Sequence, residues 1–332
     1  MRYTGGRQKN AAREVLFNMV QVDLITGFLG AGKTTFLRQY VRYLVEQGHN
    51  VCILENDFGA VNVDAMLVQD LLGPKCDLET ISGGCDCDTH QRRMRTKLIV
   101  MAMRGFDRVV VEPSGIFDVD EFFDVLRDDP LDRWYQIGNV IAIVDAMLPE
   151  QLSPQAEYIL ASETANAGKV LLSRSQLAGA AQCKAACDHL ARALKSCKCT
   201  RRFAPDEILA KDWAQLTDAD LAAIDACGHR QASYEKLHFD EHEAFSSLCF
   251  LEQHLTLEQL QDAADRLFQD PACGHVLRVK GFAPQPGGET GWLELNATAA
   301  GKTLAPIPQG QDVLIVIGEG LDKAAIEARL HS

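Results

Sequence analysis

The sequence lacks the features that direct a chain to a membrane or to nucleic acid. No stretch within its 332 residues is long and apolar enough to cross a bilayer. Residues 1–18 carry four basic side chains but no apolar segment of the kind found in secretory signals. Acidic residues outnumber basic ones by 46 to 33, and the resulting net charge of −13 repels nucleic acid and anionic lipid. We therefore expect neither nucleic acid nor a membrane as a partner.

A disulfide framework and internal repeats are not expected either. Eleven cysteines without a secretory signal indicate a reducing compartment, where thiols stay free or bind metals, and we predict a cytoplasmic location. We find no repeat and no low-complexity segment. A hydrophobic content of 47% with 24% charged residues is that of an ordinary globular protein.

The most informative segment is a glycine-rich turn at residues 27–35, Gly-Phe-Leu-Gly-Ala-Gly-Lys-Thr-Thr, which satisfies the pattern G-x-x-x-x-G-K-T. It follows an apolar run and precedes a helical pattern, as a phosphate-binding loop requires. Backbone N–H groups of such a loop surround a phosphate, the lysine reaches the β- and γ-phosphates, and the threonine hydroxyl ligates Mg²⁺. The predicted nucleotide contacts here are Gly27, Gly30, Ala31, Gly32, Lys33, Thr34 and Thr35.

Five short apolar runs predict a doubly wound, mostly parallel α/β sheet of the P-loop NTPase type. Continuous apolar character suits parallel strands that are covered on both faces, and helical patterns separate the runs. The runs are Val20–Ile25, Val51–Leu54, Val109–Val111, Val140–Val144 and Val170–Leu172.

The remaining chain predicts a second, smaller α+β domain with an antiparallel sheet, in the order β-α-β-β-β-α. We predict an extension at residues 1–18, disordered or preceding a true start at Met19. The phosphate-loop domain then spans residues 19–204, a helical connector 205–235 and the α+β domain 236–332.

Acidic residues stand where two of the predicted parallel strands end. Asp57 follows the second apolar run, and Glu112 follows the third, ahead of Gly115. Carboxylates at this edge, with Thr34, can hold Mg²⁺ or polarise water, so we predict Lys33, Asp57 and Glu112 as catalytic. The backbone N–H of Gly115 can bind a γ-phosphate.

A cysteine-containing loop lies between these two acidic strand ends. Cys85 and Cys87 are two residues apart, with Asp88 and His90 close behind, and such a mixed set suits Zn²⁺ or another divalent transition metal. The alternative is a pair of reduced cysteines near a turn. Further metal candidates remain open at Cys183, Cys187, Cys197 and Cys199, and at His238 and His242.

These motifs together resemble the CobW-type P-loop GTPases, relatives of the nickel-insertion GTPases of urease and hydrogenase maturation. The matching residues are Gly27–Thr35, Glu55–Gly59, Asp64, Gly84–Cys87, Glu112–Gly115, Leu277–Phe282 and Val316–Gly318. The resemblance implies a hydrolase that uses GTP and Mg²⁺ to carry or insert a metal into a client metalloprotein, with a homodimer as one arrangement.

Two departures from that family pattern bear on specificity. The family's metal motif is C-x-C-C, and Asp88 occupies the third cysteine position. The family's guanine-reading N-K-x-D is replaced by S-R-S-Q, so that Ser173, Arg174 and Gln176 are the predicted base contacts. Without the carboxylate that accepts from guanine, ATP becomes an alternative to GTP.

Two other functions fit the same phosphate loop. A small-molecule kinase would transfer phosphate to a metabolite, and a nucleotide-gated interaction module with a vestigial metal site would bind its partner without metal. Stoichiometric metal binding together with phosphate release would identify the metal carrier.

Overall fold

The computed structural model describes residues 19–57, 67–82, 87–116, 119–236, 245–286, 291–299, 301–307 and 310–330. The first sheet has seven strands in the order β3-β2-β4-β1-β5-β6-β7, and every neighbouring pair is parallel. The strands are β1 (Val20–Thr26), β2 (Val51–Asp57), β3 (Cys76–Ser82), β4 (Arg108–Glu112), β5 (Tyr135–Asp145), β6 (Lys169–Ser173) and β7 (Ile208–Leu209).

Helices cover both faces of this sheet, which explains why its strands are apolar throughout. Val109 and Val111 of β4 pack into one hydrophobic cluster, while Val110 between them packs into the cluster on the opposite face. The helices are α1 (Lys33–Glu46), α2 (Cys87–Met103), α3 (Val119–Arg127), α4 (Leu131–Trp134), α5 (Pro154–Ala165), α6 (Ser175–Ser196) and α7 (Asp218–Asp225). Among the described helices, none combines the length and the apolar character that a membrane span needs.

The second sheet has five antiparallel strands in the order β11-β10-β9-β12-β8. Two helices pack on one of its faces around Leu260, Leu267 and Ile326. The strands are β8 (Ser246–Leu251), β9 (His275–Pro284), β10 (Trp292–Thr298), β11 (Gly301–Ile307) and β12 (Val313–Glu319), and the helices are α8 (Leu257–Gln269) and α9 (Lys323–Leu330). The predicted fold class, a doubly wound sheet with a smaller α+β unit, is therefore confirmed.

Three strands have no counterpart in the sequence-based prediction. β3 and β11 are edge strands, and their residues mix polar and apolar types without the continuous run of a central strand. β7 is only two residues long and lies in the segment predicted as a helical connector, 205–235, where it pairs with β6. That segment also contains α7, so it contributes both a helix and an edge strand to the first sheet.

A buried polar network anchors helices α1 and α7 to the middle of the first sheet. Asp23 of β1 is fully buried and accepts hydrogen bonds from Arg108 (Nε, 3.1 Å) and from the Tyr40 hydroxyl (3.0 Å). Arg108 and Tyr40 also contact Asp225 of α7. Since Tyr40 belongs to the helix that follows the phosphate loop, the network fixes the direction of that helix.

The face of the second sheet that is not covered by α8 and α9 lies against the phosphate loop. A Cβ atom built on Gly30 would be 2.9 Å from Cγ2 of Thr298, at the end of β10. The rings of Phe28 and Phe245 meet edge to face at 6.3 Å. Leu67, from the segment that follows β2, packs into the hydrophobic cluster on this face. The second sheet therefore forms one wall of the site at the phosphate loop.

Candidate functional site

The phosphate loop has the backbone geometry that its glycines permit. Gly27, Gly30 and Gly32 have φ values of 145°, 73° and 101°, which strongly favour glycine. A Cβ at Gly27 would lie 2.3 Å from the carbonyl oxygen of Ile143, so a side chain has no room there. Lys33 is 7% exposed, and its Nζ donates to the carbonyl of Gly27 at 2.7 Å, which closes the loop on itself.

The predicted magnesium ligands Thr34 and Glu112 are in direct contact. The Thr34 hydroxyl donates to Oε1 of Glu112 at 2.8 Å. Glu55 of β2 is the register partner of Glu112 in β4, and both carboxylates are buried. A hydroxyl and two neighbouring carboxylates are hard oxygen donors, which is the set that Mg²⁺ prefers.

Gly115 lies directly on the phosphate loop. A Cβ built on it would be 2.6 Å from the backbone nitrogen of Leu29 and 2.9 Å from Nζ of Lys33. The segment after β4 therefore approaches the loop as closely as backbone allows. A backbone amide in a segment that lies this near the loop can reach the same phosphate as Lys33.

One cavity of about 180 Å³ joins these groups. Its walls include the loop, the ends of β2 and β4, and the facing surface of the second sheet. Of the predicted site residues, the structure brings together around it Gly30, Gly32, Lys33, Thr34, Thr35, Glu112 and Gly115. The second sheet contributes Ser247, Arg278, Glu294, Asn296, Thr303, Ala305 and Ile317. Of the other two predicted loop residues, Gly27 accepts from Lys33, and Ala31 is buried with its N–H donating to the Phe28 carbonyl.

A buried carboxyl group stands behind the loop, on α5. Glu163 is 1% exposed, and its environment includes Lys33 and Gly27. Burial raises the pKa of Glu163 well above its usual range, while the positive charge of Lys33 acts in the opposite direction. This carboxyl is therefore more easily protonated than an exposed one.

The predicted base contacts follow β6. Ser173 is buried, and its Cβ is 3.9 Å from the position of a Cβ on Gly32. Arg174 adopts a left-handed conformation and forms a bidentate ion pair with Asp145, with Nε at 2.9 Å from Oδ1. Gln176 is exposed in the first turn of α6. The pairing with Asp145 directs the Arg174 guanidinium toward the end of β5.

An aromatic ring from the connector adjoins the same part of the loop. Two ring atoms of Trp213 lie 3.3 Å from the position of a Cβ on Gly32. The indole also meets the ring of Phe36 edge to face, at 5.7 Å between centroids. Trp213 therefore borders the site on the side of Ser173.

The predicted transition-metal site falls outside the described side chains. Cys85 lies in a segment that is not described; Cys87, Asp88 and His90 begin helix α2, but their side chains, like that of Asp57, are not described either. His238 and His242 also lie outside the described residues. Across the described ranges, no three His, Cys, Asp or Glu side chains gather in a metal-binding arrangement. The thiols of Cys183, Cys187, Cys197 and Cys199 pack against the core of the first sheet.

Sequence reasoning did not name Glu163, Trp213 or Arg278 as site residues, and it named Glu55 only as part of the acidic end of the second strand. Glu55 was visible as the strand residue two positions before Asp57, but its alignment with Glu112 depends on strand register. Glu163 and Trp213 approach the loop from distant elements, and Arg278 lines the cavity beside it. Their spacing in the sequence carries no signal of that approach.

With this geometry in place, comparison with protein families gives a clear result. The profile described as "CobW/HypB/UreG, nucleotide-binding domain" matches residues 21–202, more than half of the chain. The chain belongs to the CobW/HypB/UreG family. The profile "Cobalamin synthesis protein cobW C-terminal domain" matches residues 225–332, so the CobW resemblance extends through the second sheet.

Individual members of the CobW family resemble this chain at low sequence identity. "Zinc chaperone YjiA" of Escherichia coli is 32% identical over 50% of this chain and 52% of that protein, so the match spans only about half of YjiA. "Zinc chaperone CobW" of Pseudomonas aeruginosa is 27% identical, with 94% of this chain and 90% of the relative aligned. Among solved structures, the Zn(II)-bound YjiA GTPase of E. coli aligns at 20% identity over 95% of this chain and 98% of that one, with a TM-score of 0.36.

Proposed function

We propose that this protein hydrolyses a nucleoside triphosphate, GTP first, in order to load or release a divalent metal for a client metalloprotein. The observation that carries the proposal is the convergence of Lys33, Thr34, Glu112 and Gly115 on one cavity. A lysine, a hydroxyl–carboxylate pair and a close backbone amide are the parts that a phosphate-loop hydrolase needs.

Each of these groups has a defined task toward the triphosphate. Lys33 would exchange its hydrogen bond with the Gly27 carbonyl for the β- and γ-phosphate oxygens. Thr34 and Glu112 would hold Mg²⁺, with Glu55 close enough to act directly or through water. Bound there, Mg²⁺ neutralises charge on the phosphate oxygens. The Gly115 amide would bond the γ-phosphate and so distinguish triphosphate from diphosphate.

Chain connectivity links this site to the proposed metal ligands. β3 ends at Ser82, in register with Asp57 at the end of β2, and α2 begins at Cys87. β3 therefore ends at the edge where the phosphate loop lies, because the carboxyl ends of parallel strands meet there, and Cys85 follows that end by three residues in the sequence. Nucleotide state and metal binding can in this way bias one shared element.

The names of the relatives favour zinc as the cargo. YjiA and the Pseudomonas CobW are both described as zinc chaperones. In this chain two thiolates from Cys85 and Cys87 would be joined by an oxygen or nitrogen from Asp88 or His90. Such a mixed set remains within the preferences of zinc.

The test is a titration of the purified protein with Co²⁺ as a spectroscopic substitute for Zn²⁺, in the presence and absence of a non-hydrolysable GTP analogue. The wild type should bind one Co²⁺ with thiolate-to-metal absorption, and affinity should fall below about pH 7 because thiolate ligation releases protons. The double variant Cys85→Ser/Cys87→Ser should lose that absorption.

A matched control is the double variant Cys183→Ser/Cys187→Ser, which removes two thiols of α6 and should keep the absorption. Loss in the control alone would move the metal site to α6. In parallel, Lys33→Ala should abolish phosphate release. Turnover at the wild-type rate in that variant would contradict the assignment of the phosphate loop.

Two other outcomes would replace the proposal. Transfer of the γ-phosphate to a metabolite would indicate a kinase. Nucleotide-dependent partner binding by a protein that takes up no metal in either nucleotide state would indicate an interaction module.

A further inference from the structure

We propose that Arg278, on the second sheet, binds the terminal phosphate of the nucleoside triphosphate held by the phosphate loop. The inference rests on the proposed triphosphate-binding function and adds a residue from the other half of the chain. It makes the second sheet a functional wall of the nucleotide site.

Strand register places Arg278 next to the point where the two halves touch. Arg278 of β9 is the register partner of Thr298 of β10. Thr298 in turn meets Gly30, whose Cβ position is 2.9 Å from the threonine methyl group. The Cα atoms of paired residues on neighbouring antiparallel strands are about 4.5–5.5 Å apart. Arg278 therefore lies one strand away from the residue that contacts the loop. Its side chain lines the cavity that Lys33 and Thr34 also line.

The charge of Arg278 is left without a counterion by the described part of the chain. Its hydrogen bond there is from Nε to Oδ1 of Asn296 at 3.0 Å, and no described carboxylate forms an ion pair with it. By contrast, the neighbouring cation on the same strand, Lys280, pairs with Glu294 at 3.1 Å. A half-buried guanidinium that is oriented by a neutral amide and lines the same cavity as Lys33 is suited to an anion that arrives with the ligand.

The chemistry of the site identifies which anion that is. Lys33 of the loop and Arg278 of the second sheet line the same cavity, so a phosphate chain held by Lys33 would come within reach of both cations. During hydrolysis, water attacks the γ-phosphorus, the bond to the β,γ-bridging oxygen breaks, and the diphosphate leaves with those electrons. The proton of the attacking water passes to solvent. Arg278 keeps its proton throughout and donates hydrogen bonds to the γ-phosphate oxygens as their charge redistributes.

This contact would make the second sheet sensitive to nucleotide state. A diphosphate lacks the group that Arg278 binds, so the ionic contact between the two halves exists only with triphosphate. Differential binding of this kind is what allows a ligand to shift a conformational equilibrium.

The experiment compares wild type, Arg278→Ala and Arg278→Lys with the control Lys302→Ala. Lys302 is a cation of the same sheet, but it pairs with Asp265 and is not among the residues that line the cavity. Affinities for a fluorescent non-hydrolysable triphosphate and for the matching diphosphate are measured, followed by single-turnover phosphate release. Circular dichroism and melting temperature establish that each variant is folded.

We expect Arg278→Ala to bind the triphosphate about 10- to 100-fold more weakly, as loss of a charge-assisted hydrogen bond predicts. Diphosphate affinity should stay within about twofold, since the missing contact is to the γ-phosphate. Turnover should fall by as much as about 10³-fold, the lower end of the effect of a catalytic arginine. Arg278→Lys should recover part of the triphosphate affinity, and Lys302→Ala should behave as wild type.

An unchanged triphosphate affinity in Arg278→Ala, or an equal loss for triphosphate and diphosphate, would overturn the inference while leaving the proposed function intact. A wild-type protein that binds neither nucleotide would overturn both. If the wild type binds the triphosphate but does not hydrolyse it without a partner, the test is the ratio of triphosphate to diphosphate affinity. The inference then requires that Arg278→Ala lowers this ratio.

Discussion

The buried carboxylate of Asp23 offers a quantitative test of how the phosphate loop is supported. Asp23 is fully buried in β1, three residues before the strand ends, and it holds the helix that follows the loop. The replacement Asp23→Asn preserves the shape of the side chain, removes its charge and converts one acceptor into a donor. We expect this single change to destabilise the first sheet severely.

The magnitude follows from the contacts that are lost. Asp23 accepts from Arg108, from Tyr40 and from the backbone N–H of Asn139 (2.7 Å). Removing one member of a buried ion pair costs about 3–5 kcal/mol, because the partner is left charged and desolvated. Asp225 still contacts Arg108, so we expect the lower end, about 3 kcal/mol. This corresponds to a melting temperature lower by roughly 6–12 °C.

Urea unfolding followed by circular dichroism measures the difference, with Asp188→Asn as the control. Asp188 pairs with Lys184 on the exposed surface of α6, where loss of the pair should have little effect. The further variant Asp23→Asn/Arg108→Met also removes the buried Arg108 charge that Asp23 no longer neutralises. It should therefore recover part of the lost stability. A destabilisation by Asp23→Asn no larger than that of the control would refute the reasoning.

Three further predictions concern the site and the buried thiols. Gly115→Ala should weaken triphosphate binding tenfold or more in calorimetry, because the overpacking against Leu29 and Lys33 costs about 1–3 kcal/mol; unchanged affinity would contradict that contact. With Gln176 in place of the usual carboxylate, competition binding should give a GTP preference over ATP below about a hundredfold, and a preference of many thousandfold would show that another residue reads the base. Burial raises the pKa of Cys52 to about 12, so this thiol stays protonated at pH 8 and should resist alkylation in the folded protein but react in urea, as followed by mass spectrometry; rapid labelling of the folded protein would count against its burial.

Much of the nucleotide site could be predicted from the sequence because its signals are local. The glycines at 27 and 32 are required by backbone angles within the loop itself. The strand before the loop and the helix after it follow from continuous and periodic apolar patterns. Glu112 could be predicted beside the loop because a carboxylate at the carboxyl end of a parallel strand lies at the edge where the loop lies.

The other contributions were decided only by tertiary structure. Glu55 joins Glu112 through the register between β2 and β4, and register is a relation between strands that neither strand specifies alone. Glu163 comes to lie behind Lys33 because α5 packs across the sheet, although nothing in its helix marks it as part of a site. Edge strands β3 and β11 escaped prediction because a half-exposed edge tolerates almost any residue.

The sequence by itself therefore predicted a phosphate-binding loop and its position along the chain. Backbone conformation and two-sided burial leave a mark within a few neighbouring residues, which a single sequence reveals. The packing of one sheet against another joins residues far apart in the chain. For that reason only the folded structure decided that Arg278 and Asn296 would line the same cavity as Lys33.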